Sequence, residues 1–204
     1  MFGDPEKNPR GWKKATFEEL SDVITDGEHA TPRRVDNGIY LLSARNVLNH
    51  ELVFNPVDYI DQDEYDRIAK RIVPQAGDVL ISCSGTVGRA CVVPENLVFQ
   101  MVRSVALVRF KADINPVFME QQITMPYIQN QINASKSQTS QANLFQGKIK
   151  KIQAIVPPIE LQNEFLEFIR QSDKSKFLGL NRNLSSGLFM AKDTLLFVWM
   201  LSQM

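Results

Sequence analysis

A proline pair, Pro157-Pro158, stands between an apolar run, Ile152 through Val156, and an amphipathic stripe that opens at Leu161. Proline has no backbone N–H and locks φ, so neither a strand ladder nor a helix interior continues through two of them. A strand must end before the pair, and a helix must start after it. That break separates a body, residues 12–157, from a helical segment, 158–204. An extended lead-in, 1–11, precedes the body and is pinned by the Trp12 indole.

Within the body, short apolar runs punctuated by Gly, Pro and Asn predict strands. They are Val23-Ile24 up to Asp26-Gly27, Ile39 through Leu42, Leu52 through Phe54, Val79 through Ser82, Ala90 through Val93 and Val102 through Phe110. Helix signals lie between and after them. Thr16 caps a short turn through Glu19, and Asp61 with Glu64 three residues on opens a helix to Arg71. Asn115-Pro116 is a cap followed by proline at the first helical position, and Pro126 kinks or restarts that helix.

The pattern predicts an α+β fold, a small mixed sheet with packed helices followed by a C-terminal helix of coiled-coil type. In that last helix Leu161, Phe165, Phe168 and Ser172 recur at helical spacing. A stripe of that period packs either on its own domain or on a partner helix. Gly179, Asn181, Asn183, Ser185, Ser186 and Gly187 predict an interruption. The apolar tail from Leu188 to Met204, broken by Lys192 and Asp193, is too short to read as a membrane span.

At 204 residues and 44% hydrophobic composition, the chain has enough apolar surface to bury a core. Its 23 basic and 23 acidic residues cancel, so no global field drives it onto DNA or an anionic membrane. Locally the balance differs. No Asp or Glu occurs between Glu120 and Glu160, whereas Lys136, Lys148, Lys150 and Lys151 do, among many Gln, Asn and Ser side chains. That surface suits phosphates and base edges. Two cysteines, Cys83 and Cys91, flank a predicted turn. A cross-strand disulfide is geometrically conceivable there, and two reduced thiols are the expectation. The charged, Pro-rich N-terminus lacks a signal-peptide core, which predicts a cytoplasmic protein.

Catalytic patterns are absent. Asn55-Pro56-Val57-Asp58 departs at two positions from the Asn-Pro-Pro-aromatic motif that holds a flipped base. The cluster Asp58, Asp61, Asp63, Glu64 and Asp66 is spaced for a helix N-terminus, where acids oppose the dipole favourably, rather than for a metal-dependent nuclease. Ser82-Cys83-Ser84-Gly85 is not a nucleophile elbow, and no P-loop occurs. His29 and His50 have no metal-ligand spacing with the cysteines.

Three motifs in order carry a family likeness. They are Gly3-Asp4-Pro5 with Asn8-Pro9 and Gly11-Trp12, then Gly77 through Ser82 with Ser84 through Arg89, then Gln141-Ala142-Asn143-Leu144 running into the proline pair and Leu161-Gln162. The chain resembles a target recognition domain, with part of the spacer helix, of the specificity subunit of type I restriction-modification enzymes. His29-Ala30 departs from that pattern, standing where small residues are commoner.

The resemblance implies sequence-specific recognition of double-stranded DNA that directs methylation and restriction by separate modification and restriction subunits. It implies no enzyme activity and no cofactor or metal in this chain, S-adenosylmethionine chemistry residing in the modification subunits. The expected base readers are Arg33, Arg34, Ser43, Arg45, Asn46, Ser84, Thr86, Arg89, Gln138 and Gln141, with Lys136 and Lys148 on phosphates. Arginine suits guanine, and Asn or Gln suits adenine. Leu161, Phe165 and Phe168 are expected to meet a partner, either a second copy or another half-subunit. The alternative is a stored or truncated half-subunit that acts only as an interaction module or recombination cassette.

Overall fold

The structure, a computed structural model, describes residues 1–135 and 143–182. The chain forms two compact units, one of Met1–Lys13 with the segment from Ile155 onward, the other of Lys14–Ala154.

In chain order the elements are β1 (Lys13–Thr16), α1 (Phe17–Leu20), β2 (Ser21–Asp26), β3 (Ile39–Leu42), a 3-10 turn (Ala44–Asn46), β4 (Val47–Leu48), β5 (Glu51–Leu52), β6 (Asp58–Ile60) and α2 (Gln62–Ala69). They continue with β7 (Val79–Ser82), β8 (Ala90–Val92), β9 (Phe99–Met101), β10 (Val105–Phe110), α3 (Pro116–Thr124), α4 (Pro126–Ser135), α5 (Gln146–Ile149), β11 (Gln153–Val156) and α6 (Ile159–Arg182). The larger unit holds an antiparallel sheet in the order β2-β10-β7-β8 and a mixed sheet in the order β6-β3-β9, where β3 and β9 run parallel. The class is α+β, as the sequence predicts.

Capping chemistry places the helices where the sequence puts them. The Thr16 hydroxyl accepts the Glu19 N–H at 3.3 Å while the Glu19 carboxylate accepts the Thr16 N–H at 2.7 Å. Asn115 Oδ1 accepts from Val117 and Phe118 at 3.0 and 3.2 Å, with Pro116 at the first helical position. Met125, preceding Pro126, is extended, so the segment restarts as a second helix rather than bending.

Two strand expectations and one helix end are corrected, and one strand was not expected. The Val102–Phe110 run is not one strand. β10 starts only at Val105, after a turn that the Val105 N–H closes on the Val102 carbonyl at 3.0 Å, and β9 just before it lies in the other sheet. Apolar periodicity does not register a chain that changes sheets. The Leu52–Phe54 strand is replaced by the small β4-β5 hairpin, and Asp58–Ile60 pairs with β3. Helix α2 ends at Ala69, short of Arg71.

The core beneath the sheets includes Leu42, Val47, Leu80, Phe99, Met101, Val105 and Leu107, all buried. Each such aliphatic or aromatic side chain contributes roughly 1.5–3 kcal/mol by leaving water. Asp78, 1% exposed, is locked by a bidentate Arg109 at 2.7 and 2.8 Å, which fixes the start of β7 against β10. Gly27 ends β2 where only a glycine fits, since a Cβ there would stand 2.3 Å from the Met101 carbonyl oxygen. Cys83 and Cys91 are both free and buried. In the β7-β8 register Cys91 faces Leu80, so the two thiols are not opposed.

In the smaller unit the Trp12 indole N–H donates to the Phe2 carbonyl at 3.1 Å, and Asn8 brackets Trp12 through both its amide atoms. Helix α6 continues through Gly179 and Asn181 to Arg182, so these two residues do not interrupt it, and the rest of the expected interruption, Asn183, Ser185, Ser186 and Gly187, lies outside the described residues. Glycine costs only about 1 kcal/mol inside a helix and keeps its N–H, so it weakens the ladder without cutting it. The apolar tail from Leu188 lies outside the described residues. Among the described residues no helix is long and apolar enough to cross a membrane.

Candidate nucleic-acid interface

The C-terminal ends of β3, β7 and β9 and the start of β10 lie together, because Leu42 pairs with Met101 and Ser82 with Val105. The loops leaving these ends are sewn to one another by hydrogen bonds of the backbone and of the Ser104 hydroxyl. The Ala44 N–H donates to Ser104 Oγ at 3.0 Å, and the Cys83 N–H donates to the Ser104 carbonyl at 2.8 Å. The Leu144 N–H donates to the Cys83 carbonyl at 2.9 Å, and Ser84 bridges to Asn143. On the other side the Arg103 N–H donates to the Glu28 carbonyl at 3.0 Å. Residues 27–34, 43–46, 83–89, 102–104 and 143–146 therefore form one continuous rim. It is held by main-chain hydrogen bonds and by the Ser104 hydroxyl, so its side chains are displayed from fixed points.

The expected readers on this rim fall into distinct groups. Arg33, Arg34 and Arg45 are exposed and held by carboxylates. Arg33 pairs with Asp61 at 2.5 Å, Arg34 Nε with Asp58 Oδ2 at 2.9 Å, and Arg45 with Asp58 Oδ1 at 2.7 Å. Burial pushes the Asp58 carboxyl up, yet the hydrogen bonds and charges of Arg34 and Arg45 together hold it below its ordinary value. Glu64 is likewise held low, foremost by its hydrogen bond from Arg67 and opposed by partial burial, with help from the Arg33 N–H. Asp61 caps α2 through the Glu64 N–H at 2.9 Å.

Ser84 and Arg89 are half-buried and Thr86 exposed, around a tip where Gly85 has φ +68°. Among the described residues nothing pairs with the side chains of Arg89, Arg103 or Lys148. Asn46 is different. It is fully buried, accepting from the Ser43 N–H and hydroxyl and donating to the Val53 and Pro56 carbonyls. This corrects its expected role, because an amide with all its bonds made inside the protein shapes the turn under Arg45 and does not reach a base. Ser43 is drawn into the same knot. Lys136, Gln138 and Gln141 lie outside the described residues.

Sequence reasoning missed Arg103, Ser104 and Phe145. The pair Arg103-Ser104 interrupts an apolar run, a polar break that marks the turn between sheets. Phe145 is 61% exposed at the N-cap of α5, where a side-chain acceptor would serve the helix better. Its neighbours hold it in place, Leu144 being buried and the Gln146 amide donating to the Ile24 carbonyl.

For the expected partner stripe, Phe165 is 6% exposed and packs edge-to-face on Phe2 at 5.5 Å. The chain's own lead-in covers it, which corrects the idea of a free contact there. Leu161 and Phe168 are half-buried. Among the described residues no group of three or more His, Cys, Asp or Glu side chains is placed to hold a metal ion.

A family model described as Type I restriction modification DNA specificity domain matches residues 9–185. No curated protein sequence matches the chain. Among solved structures, a chain from work on the structural basis of complex assembly and conformational transition of the type I R-M system is similar at 18% identity and TM-score 0.62. That likeness covers 85% of this chain and 41% of the other. The HsdS subunit from Thermoanaerobacter tengcongensis is similar over 87% of this chain and 41% of its own, at 18% identity and TM-score 0.56. The type I S subunit from M. genitalium is similar over 85% and 43%, at 14% identity and TM-score 0.51. At these identities the likeness is one of fold. This chain spans about two-fifths of the length of those chains.

Proposed function

The chain belongs to the type I restriction modification DNA specificity domain family, and on that premise we propose that it reads DNA sequence through the loop rim of its larger unit. It selects where partner modification and restriction subunits act and makes or breaks no bond itself. The observation that carries this reading is the rim, where four loops of the two sheets and the segment leading into α5 are hydrogen-bonded into one edge bearing Arg34, Arg45, Arg89, Arg103 and Thr86. Donors in paired geometry on a fixed edge are what base-edge discrimination requires, each good pair being worth about 1–3 kcal/mol. Arg103 and Lys148 serve as phosphate contacts, which position the duplex without reading it.

The near-neutral chain fits this division, because partner subunits supply phosphate neutralisation while the rim supplies selection. Helix α6 offers Leu161 and Phe168 to another helix, from a second copy or another half-subunit, and Phe165 fixes that face from behind. The place of action is the cytoplasm, where the DNA and those subunits meet.

The test is to assemble the chain with its modification subunits and map methylated adenines, with and without Arg45→Ala and Arg89→Ala. Relaxed or shifted methylation sites support the reading. An unchanged methylated sequence in both variants refutes it, and it would favour a module that docks subunits without choosing bases. Sedimentation at micromolar concentration checks the pairing, which a clean monomer in the presence of a second specificity half would refute.

A further inference from the structure

We propose that Asp58 is a specificity-determining positioning residue, which aims Arg34 and Arg45 at base edges while offsetting one of their two positive charges and so weakening their attraction for phosphates. The proposal rests on the reading of the rim as the DNA-facing edge.

Each carboxylate oxygen of Asp58 takes a different guanidinium, Oδ2 from Arg34 at 2.9 Å and Oδ1 from Arg45 at 2.7 Å. The three residues come from separate segments that the backbone brings together. Asp58 faces Leu41 in the β3-β6 register, the Val35 N–H donates to the Tyr59 carbonyl at 3.0 Å, and Asn46 donates to the Pro56 carbonyl at 2.9 Å. Both arginine-bearing segments are thus tied to the strand that carries the acid. The arrangement is built by the fold, and the ion pairs then orient the side chains.

An arginine has five N–H donors in a rigid fork. Asp58 takes one from Arg45, while Arg34 gives Nε to Asp58 and makes a long 3.5 Å contact with the Pro32 carbonyl. Donors remain on the outer edges, and the two side chains are 45% and 47% exposed. Stability alone does not account for the clamp, since exposed ion pairs add little to it. Its effect on DNA is larger. Two free arginines bring two positive charges to any phosphates they reach, whereas two that share one carboxylate keep a net charge of only one, so more of their gain comes from a well-placed acceptor pair such as guanine O6 and N7. Asp58 therefore lowers affinity for arbitrary duplex and leaves affinity for the chosen bases.

The experiment uses the full chain and a labelled pool of duplexes of randomised sequence, comparing wild type with Asp58→Asn and Asp58→Glu. With one net positive charge uncovered, D58N binds the unselected pool more tightly, and a fourfold rise in salt weakens that binding about three- to fourfold more than it weakens wild type. Sequencing of retained duplexes shows wild-type base enrichment lost at one or two positions in D58N and largely kept in D58E, which preserves the charge. A merely structural role would lower the melting temperature without steepening the salt dependence. The proposal is overturned if D58N keeps wild-type salt dependence and enrichment. A salt dependence in D58E as steep as that expected of D58N also overturns it, a check that holds even if D58N fails to fold. If wild type itself retains no duplex above a bare-label control, the DNA-reading function falls and this inference with it, a result distinct from the first two.

Discussion

Replacing Asn46 by alanine is expected to cost about 3 kcal/mol of folding stability. The side chain has no exposed surface and makes four hydrogen bonds, to the Ser43 N–H at 3.0 Å, the Ser43 hydroxyl at 3.2 Å, and the Val53 and Pro56 carbonyls at 2.9 Å each. At about 1 kcal/mol net per bond the sum is about 4. Rotation of the Ser43 hydroxyl and entry of one water into the vacated space recover part of it. Asn46→Asp separates hydrogen bonding from packing, since it fills the same volume while replacing two donors with a carboxylate facing two carbonyls. Burial raises the pKa of such an acid in the folded state, so its penalty is full at neutral pH and shrinks as pH falls through that raised value. Urea denaturation followed by far-UV circular dichroism measures both variants, and the alanine loss corresponds to a melting shift of about 6–12 °C. A loss below about 1 kcal/mol in N46A, or an aspartate variant as stable as wild type at neutral pH, would refute the view that this amide holds the Arg45 turn.

Burial pushes the Cys83 and Cys91 thiols up to about 12, so neither reacts with a thiol-directed disulfide reagent at pH 8 until urea unfolds the chain. A fast-reacting thiol in the folded protein would contradict that burial. Asp58 and Glu64 have folded values below their ordinary ones, so the stability they contribute is present above the unfolded carboxylate range and is lost as pH falls through the folded values. Acid titration should therefore loosen the rim, and D58N should show a flatter acid limb; an identical limb in both proteins counts against the clamp. Phe145→Ala should change stability by no more than about 0.5 kcal/mol, as for other exposed positions, while weakening duplex retention severalfold. Equal retention would remove Phe145 from the interface. Gly27→Ala sets a methyl against the Met101 carbonyl and should destabilise by at least about 2 kcal/mol, read as a shifted urea midpoint.

The legible parts were those whose cause is local. Thr16 with Glu19, Asn115 with Pro116, and Pro126 after Met125 act within a turn of backbone, and each stands where its chemistry requires. The β9 and β10 strands were blurred because a change of sheet leaves no mark on apolar periodicity, only the Arg103-Ser104 break. Asn46 was misread for a related reason. An asparagine after an arginine in a polar turn has the composition of a base reader, and only Val53 and Pro56, seven and ten residues on, show that its amide is used up inside. Phe145 escaped notice because a single exposed aromatic in a polar stretch has no periodic signature.

The one-dimensional chain determined its class of elements, its break at Pro157-Pro158 and its family likeness, since caps, prolines and motif order are properties of neighbours along the backbone. Which charges stand free was decided in three dimensions. Arg34, Arg45 and Arg103 look alike as letters, but only the folding of β6 alongside β3 puts Asp58 between the first two, and nothing among the described residues does so for the third. Coulomb and hydrogen-bond energies depend on distances of a few ångströms between residues far apart in sequence, and those distances exist only once the sheets have formed.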